Sequence, residues 1–453
     1  MTIFAVPERR PGWTITTIGV LFASAYVSSL VLLPKPDGRI LIGDALHHYV
    51  QLRSIVFDGD LHFRNDYVRM YGLQQPNSET SWIFTDLTAT GHVRNYMPVG
   101  PALLWAPAFL LVTLGVWLSN LASLSYPLDG FGRLFQATSG LSGIAAATVG
   151  VWLTYRTCTE LFSVRHSMWA CVVLWLASSA VYYSVISPTY SHAGSLLATS
   201  AFWYGFVRTR ARPSLSRYAL LGALAGGAAL MRWQDASLMA VVAADLLSRL
   251  RGQLPVRRVL VWGAISGGMA AIVFTPQMVV WQTLYGGPLV LPQGSGFMRW
   301  SEPALMAVLF SIRRGLLTWT PVVGIALIGI VPLFRRDRFT ATSVLLFFVI
   351  SWYVNAAVLD WWAGEAFGAR RFVSCFTVFS LGLAALLDRW APALKTLTWT
   401  SAVVVGHTLL LLVQYQAYMK GLRHVVPYPG GAYELWFARF RVPFDLLAWW
   451  LNR

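Results

Sequence analysis

Residues 259–281 read VLVWGAISGGMAAIVFTPQMVVW, an unbroken apolar stretch that follows Arg257 and Arg258. Its length matches the roughly 20 residues that carry a helix across a bilayer. Comparable runs occupy 13–33 and 396–419. Backbone amides have no water partners in lipid, so such runs must be helical. The whole chain agrees with them: of 453 residues, 56% are hydrophobic and 12% charged, with a mean hydropathy of +0.55. Soluble domains carry roughly a quarter charged residues, and a water-soluble fold is excluded. The three cysteines, Cys158, Cys171 and Cys375, give no disulfide framework. The first run exceeds the apolar core of a secretory signal and no Ala-x-Ala site follows it, so it is read as a retained span.

The net charge of +16 is spread over short arginine clusters between apolar runs. That is the pattern of membrane topology, not of a nucleic-acid surface with basic and aromatic residues interleaved. Arg9 and Arg10 precede the first run, which places the N-terminus in the cytoplasm and residue 34 outside. The clusters Arg156/Arg165, Arg208/Arg210/Arg212/Arg217, Arg249/Arg251/Arg257/Arg258, Arg335/Arg336/Arg338 and Arg389/Lys395 then read as cytoplasmic. Between them lie apolar runs at 134–154, 168–186, 193–207, 218–231, 236–247, 259–281, 316–334, 341–359 and 372–387. Alternation works if Pro98 to Leu121 lies along or dips into the outer leaflet instead of crossing. The expected fold class is an all-α polytopic bundle of about eleven transmembrane helices. It forms one membrane domain: a first span (13–33), a long outer loop with juxtamembrane helices (34–133), further spans (134–419) and an outer tail (420–453). No repeat of 20–50 residues is visible.

This topology gathers polar motifs on the outer side. Gly43-Asp44-Ala45-Leu46-His47-His48-Tyr49 follows the first span, and Leu46, Tyr49, Val50, Val56 and Phe57 give an apolar stripe to a helix reaching Phe57. Asp44 at its start is either a helix N-cap or a general base for an acceptor hydroxyl, and the two readings are compatible. Arg232-Trp233-Gln234-Asp235 splits two short apolar runs, and Arg232 and Asp235 read as a salt-bridged pair or as pocket lining. Arg370 and Arg371 read as phosphate ligands or as snorkelling side chains. Arg313 and Arg314 break the positive-inside trend at an outer end, an exception a phosphate would explain. His192 reads at least as well as a satisfied structural histidine as it does as a ligand to the phosphate. The histidines show no metal-ligand spacing, and no metal is expected.

These segments resemble the GT-C superfamily of polyprenyl-phosphate-dependent glycosyltransferases, the group that includes protein O-mannosyltransferases and the lipid A aminoarabinose transferase. The resemblance runs from Gly43-Asp44 and His48-Tyr49 through Asp58-Gly59-Asp60-Leu61, Asn65-Asp66-Tyr67 and Tyr96-Met97-Pro98-Val99-Gly100-Pro101. It continues with Ser191-His192, Arg232 to Asp235 and Gly364 to Arg371. In that group the acidic residue of the first outer loop is the base or orients substrate, which implies this role for Asp44. Many members carry Asp-Glu there; Asp44-Ala45 lacks the second carboxylate, which weakens any case for a bridging metal.

What the resemblance implies is an inverting glycosyltransferase of a plasma (inner) membrane. It would move a sugar from a polyprenyl-phosphate donor to a lipid, glycan or protein acceptor at the outer face, with no organic cofactor. Its substrate-binding residues would be His48, Tyr49, His192, Arg232, Asp235, Arg313, Arg314, Glu365, Arg370 and Arg371. The rival reading is a secondary transporter or lipid flippase, which commonly shows repeat symmetry and broken helices.

Overall fold

The computed structural model describes residues 11–32, 40–71, 81–252 and 254–452. Arg9, Arg10 and residue 34, which anchored the orientation argument, lie outside them. The fold is all-helical, and among the described residues seven helices are long and apolar enough to cross a membrane. They include α1 (Pro11–Leu32), α3 (Gly100–Leu121) and α4 (Arg133–Thr159), with α2 (Asp44–Arg53) lying between α1 and α3. An eighth candidate is a pair bent by 70°, α5 (Val164–Leu176) with 179–186.

The remaining expected crossings run through shorter or broken elements. Ser191–Thr209 (α6) is continuous, while Leu215–Met231 (α7) and Leu238–Arg251 (α8) are short and flank a 3-10 turn at Trp233–Ser237. Then come α9 (Val256–Tyr285), the fragments Leu316–Trp319, Pro321–Ile328 and Ile330–Arg336, α10 (Arg338–Ala357), α11 (Phe376–Trp390) and α12 (Leu394–Met419). Length and composition thus support seven or eight spans, not all eleven. The Gly329/Pro332 region interrupts the ladder where the apolar count read straight through 316–334, while the polar tetrad falls at the break expected between 218–231 and 236–247.

Helix α4 packs along α6 in the interior, and α9 packs along α7 with its other faces uncovered. Peripheral helices leave apolar side chains uncovered, as at Leu21, 61% exposed, and Ile272, 65% exposed, which suits contact with lipid. The arginine clusters converge on one end of the bundle. There Arg210 pairs with Asp337, Arg217 with Asp245, and Arg208 with Glu160 at 3.4 Å. The 3.4 Å pair is exposed and contributes little.

Close helix contacts rest on small residues. A side chain at Gly382 of α11 would collide with the carbonyl of Ala326, and one at Gly329 with the carbonyl of Gly382. Backbone atoms cannot swing aside, so Gly382→Val is expected to cost about 1–3 kcal/mol. A lower melting temperature in detergent would show it, and a melt equal to wild type would contradict this packing.

At the other end of the bundle, α2 continues as a wider turn over Ser54–Asp58, so the helix reaches the expected limit at Phe57. Every residue from Ala45 to Arg53 is buried, so this is an enclosed element under α3, not a helix resting on a surface. Helix α3 joins the same layer: its start abuts Leu230 at the end of α7, and Phe109 meets Phe135 of α4 in a tilted contact with centroids 5.4 Å apart. The segment after α12 also folds back, since Gln414 donates to the carbonyls of Pro427 and Glu434 at 3.0 Å each.

Candidate active site

The chain enters α2 through Gly43, whose φ of 53° lies in the left-handed region that favours glycine. An added Cβ would also sit 3.2 Å from the Tyr190 hydroxyl. Gly43 is the N-cap, and Asp44 is the first helical residue. The Asp44 carboxylate instead meets Arg370, with Oδ2 and Nη1 3.0 Å apart. Its side chain is 32% exposed, so the pair sits at the rim of a pocket and not in the core. Beneath it, the Arg370 guanidinium lies over the Tyr190 ring, 5.4 Å from its centroid.

Position and charge determine how these groups ionise. Burial works to raise the Asp44 carboxyl. The charge of Arg370, with lesser help from His48, His47 and Arg232, outweighs it and holds the group below the usual carboxylate range. Burial pushes both neighbouring imidazoles down to about 4, although Asp44 partly opposes this, so both are neutral at pH 7. His47 Nδ1 lies 2.8 Å from the Tyr67 hydroxyl and Nε2 3.1 Å from that of Tyr71. His48 Nδ1 donates to the Pro98 carbonyl at 2.9 Å.

The break between α7 and α8 supplies the opposite wall. Arg232 donates to His192 Nδ1 at 2.8 Å and to Gln234 Oε1 at 3.1 Å, while Asp235 accepts from Ser195 at 2.5 Å. The two charged residues of this tetrad thus find their hydrogen bonds elsewhere than in each other. Gln234 in turn donates to the Arg371 carbonyl at 3.0 Å, tying the break to the 3-10 segment Arg370–Cys375. Arg371 holds Asp360, donating to its backbone carbonyl at 3.0 Å and to its carboxylate at 2.7 Å.

Asp44, His48, His192, Arg232 and Arg370 therefore come together at one pocket, with Arg371 beside it. Arg232 Nε and Arg370 Nε are buried donors without a partner, and a phosphate oxygen would satisfy both. Arg314 lines a small cavity together with Arg370 and Arg371, and its own hydrogen bonds go to the Ala366 carbonyl at 2.7 Å and the Tyr428 hydroxyl at 2.9 Å. Arg313 is exposed and stacks 3.9 Å over Trp362, and Glu365 is exposed on the loop before Arg370. Tyr49 turns into the apolar core, where its hydroxyl donates to the Gly130 carbonyl at 2.5 Å. Among the described residues, no group of three or more His, Cys, Asp or Glu side chains is placed to hold a metal.

Tyr190, Gln234 and Asp360 were not expected from sequence. Tyr190 stands next to Ser191-His192 and Gln234 lies inside the Arg232 to Asp235 tetrad, so adjacency to those motifs was the available signal. Asp360 offered only its position just ahead of the Trp361 to Arg371 segment.

No protein-family model matches the chain. It is 32% identical over 240 residues to the lipopolysaccharide core galacturonosyltransferase RgtA of Rhizobium johnstonii. That match covers 48% of this chain, and the chain spans about half of that relative's length, 47%. Among solved structures it is similar to the archaeal oligosaccharyltransferase AglB from Archaeoglobus fulgidus, in complex with an inhibitory peptide and a dolichol-phosphate. The TM-score is 0.44 at 12% identity, over 97% of this chain and 54% of that one. The chain is thus similar, over about half its length, to a curated lipopolysaccharide core galacturonosyltransferase.

Proposed function

We propose that this protein is a membrane glycosyltransferase that moves a sugar from a polyprenyl-phosphate donor to an acceptor hydroxyl at the outer face of a plasma membrane. One observation carries the reading: the only carboxylate at the start of α2 faces Arg370 across 3.0 Å, so a base and a phosphate ligand share one pocket. The donor phosphate takes Arg370, with Arg232 and Arg371 adding positive charge, and thereby separates Arg370 from Asp44. The acceptor oxygen attacks the anomeric carbon as its proton passes to Asp44. The bond from that carbon to the phosphate oxygen breaks, and the electron pair leaves with the polyprenyl phosphate, whose growing charge the arginines stabilise. Among the described residues no second carboxylate stands beside Asp44 as a nucleophile, and a single displacement that inverts the anomeric centre is the reading this supports. The relative acts on a galacturonosyl group, so a galacturonosyl donor heads the test series.

The test is to incubate purified protein in liposomes with undecaprenyl-phosphate sugars radiolabelled in the sugar: galacturonate, glucose, mannose and aminoarabinose. A membrane extract supplies acceptors. Transfer of label to a non-donor product is expected for one sugar. Label that crosses the bilayer still attached to its carrier would favour the transporter reading instead.

Sidedness has its own test. The exposed Glu365 and Arg251 lie toward opposite ends of the bundle. Glu365→Cys is expected to react with an impermeant maleimide added outside intact cells, and Arg251→Cys only after permeabilisation. The reverse pattern would remove the outer-face assignment.

A further inference from the structure

A carbonyl oxygen carries no proton, so the 2.9 Å contact to Pro98 requires that His48 bear its proton on Nδ1. Since the ring is neutral at pH 7, Nε2 then offers a bare lone pair. That atom is buried and has no partner, and His48 as a whole is fully buried. A buried acceptor without a donor costs free energy, and a native site retains one where something else supplies the donor. Its placement says what arrives. His48 stands four residues after Asp44 on α2, one turn along the same face. The other polar groups around it leave it unsatisfied: His47 is held by Tyr67 and Tyr71, and His192 accepts from Arg232 through Nδ1. Trp105 faces the His48 ring edge-on at 6.1 Å and closes the apolar side.

We infer that His48 Nε2 accepts a hydrogen bond from a second hydroxyl of the acceptor, so that the acceptor is a carbohydrate ring and not a lone alcohol such as a serine side chain. This rests on the proposed transfer reaction and deepens it. Asp44 takes the proton of the attacking hydroxyl, and His48 holds another hydroxyl of the same ring, which fixes which oxygen reaches the anomeric carbon. Nε2 is buried and without a partner in the state in which Asp44 and Arg370 are paired. The acceptor therefore reaches it once donor phosphate has drawn Arg370 away. A lone alcohol reaching Asp44 would leave Nε2 buried and unpaired, a loss of about 10- to 100-fold in kcat/KM.

Two substitutions separate this from a structural tether. In His48→Asn the side-chain NH2 can replace Nδ1 as donor to Pro98, but nothing replaces Nε2. In His48→Gln the side-chain oxygen can replace Nε2 as acceptor, while the Pro98 contact is lost. With the active donor from the transfer assay and lipopolysaccharide core oligosaccharide as acceptor, His48→Asn is expected to raise the acceptor KM tenfold or more, and the donor KM far less. His48→Gln is expected to recover most of that loss, and a serine-containing peptide to be a poor acceptor for wild type. The opposite order, with Asn restoring activity and Gln losing it, overturns the inference in favour of a tether. So does a peptide used as well as the oligosaccharide. A readout free of activity stands beside these: nitrogen NMR of protein labelled with 15N-histidine should show a neutral imidazole protonated on Nδ1 that His48→Asn removes. Finding the proton on Nε2 overturns the inference. No transfer by wild type with any donor would instead fail the reaction itself, and this inference with it.

Discussion

Replacing Asp44 with asparagine is expected to slow sugar transfer by roughly 10²- to 10⁴-fold, the range that a positioned general base contributes. Asparagine keeps the size of the side chain and its place at the start of α2, but it cannot take the acceptor proton. The helix itself should survive, because Gly43 and not Asp44 is the cap. The larger risk to folding is Arg370, which loses its ion-pair partner. That guanidinium is largely buried, though the Tyr190 ring still faces it, so a somewhat lower melting temperature is expected alongside the loss of rate. Donor affinity should hold or improve, since the phosphate no longer competes with a carboxylate for Arg370. A variant that transfers within threefold of wild type would show that Asp44 does no proton transfer.

The second large effect concerns Arg370. Arg370→Gln removes the charge facing the leaving phosphate, and a loss of about 10²- to 10³-fold in kcat is expected, as for removal of one preorganised donor. The same change leaves a distinct mark on the pH profile. Asp44 acts as a base only when ionised, so the rate falls as pH drops through its pKa. In wild type Arg370 holds that pKa below the ordinary value against the effect of burial. Without Arg370, burial prevails and the acid limb moves to higher pH. Arg370→Lys should fall between, retaining charge but losing the two-pronged grip on phosphate. An unshifted acid limb in Arg370→Gln would mean that the titrating group is not Asp44. The shared arginine also predicts order: the donor binds first, and acceptor KM should drop as donor saturation rises.

Much of the fold was legible because apolar length and backbone satisfaction admit few solutions in lipid. The runs at 134–154, 259–281, 372–387 and 396–419 lie within helices long and apolar enough to cross, and the described part of 13–33 and residues 341–357 of 341–359 do too. Pro98 to Leu121 belongs to this set by the same measure, and parity counting alone had set it aside. The runs 218–231 and 236–247, split by Arg232 to Asp235 in the sequence, are two short helices on either side of a 3-10 turn, whereas the run 316–334 is broken into fragments around Gly329 that the apolar count read as one. Composition averaged over a window does not register such breaks.

For the site, order and sidedness of short motifs picked out Asp44, His48, His192, Arg232, Arg370 and Arg371 from the sequence. Spacing could not rank them against Tyr49, Arg313 and Glu365, because a pocket is a relation among side chains on different helices. Residue types and apolar periodicity by themselves determined a helical membrane bundle with polar groups gathered toward one end, since burial in lipid leaves the backbone no alternative. Only the tertiary structure decided that Asp44 meets Arg370, that Tyr49 turns into the core and that Pro98 fixes the His48 proton. Those outcomes depend on close packing between segments far apart in the chain, where a shift of one helical turn would pair different residues.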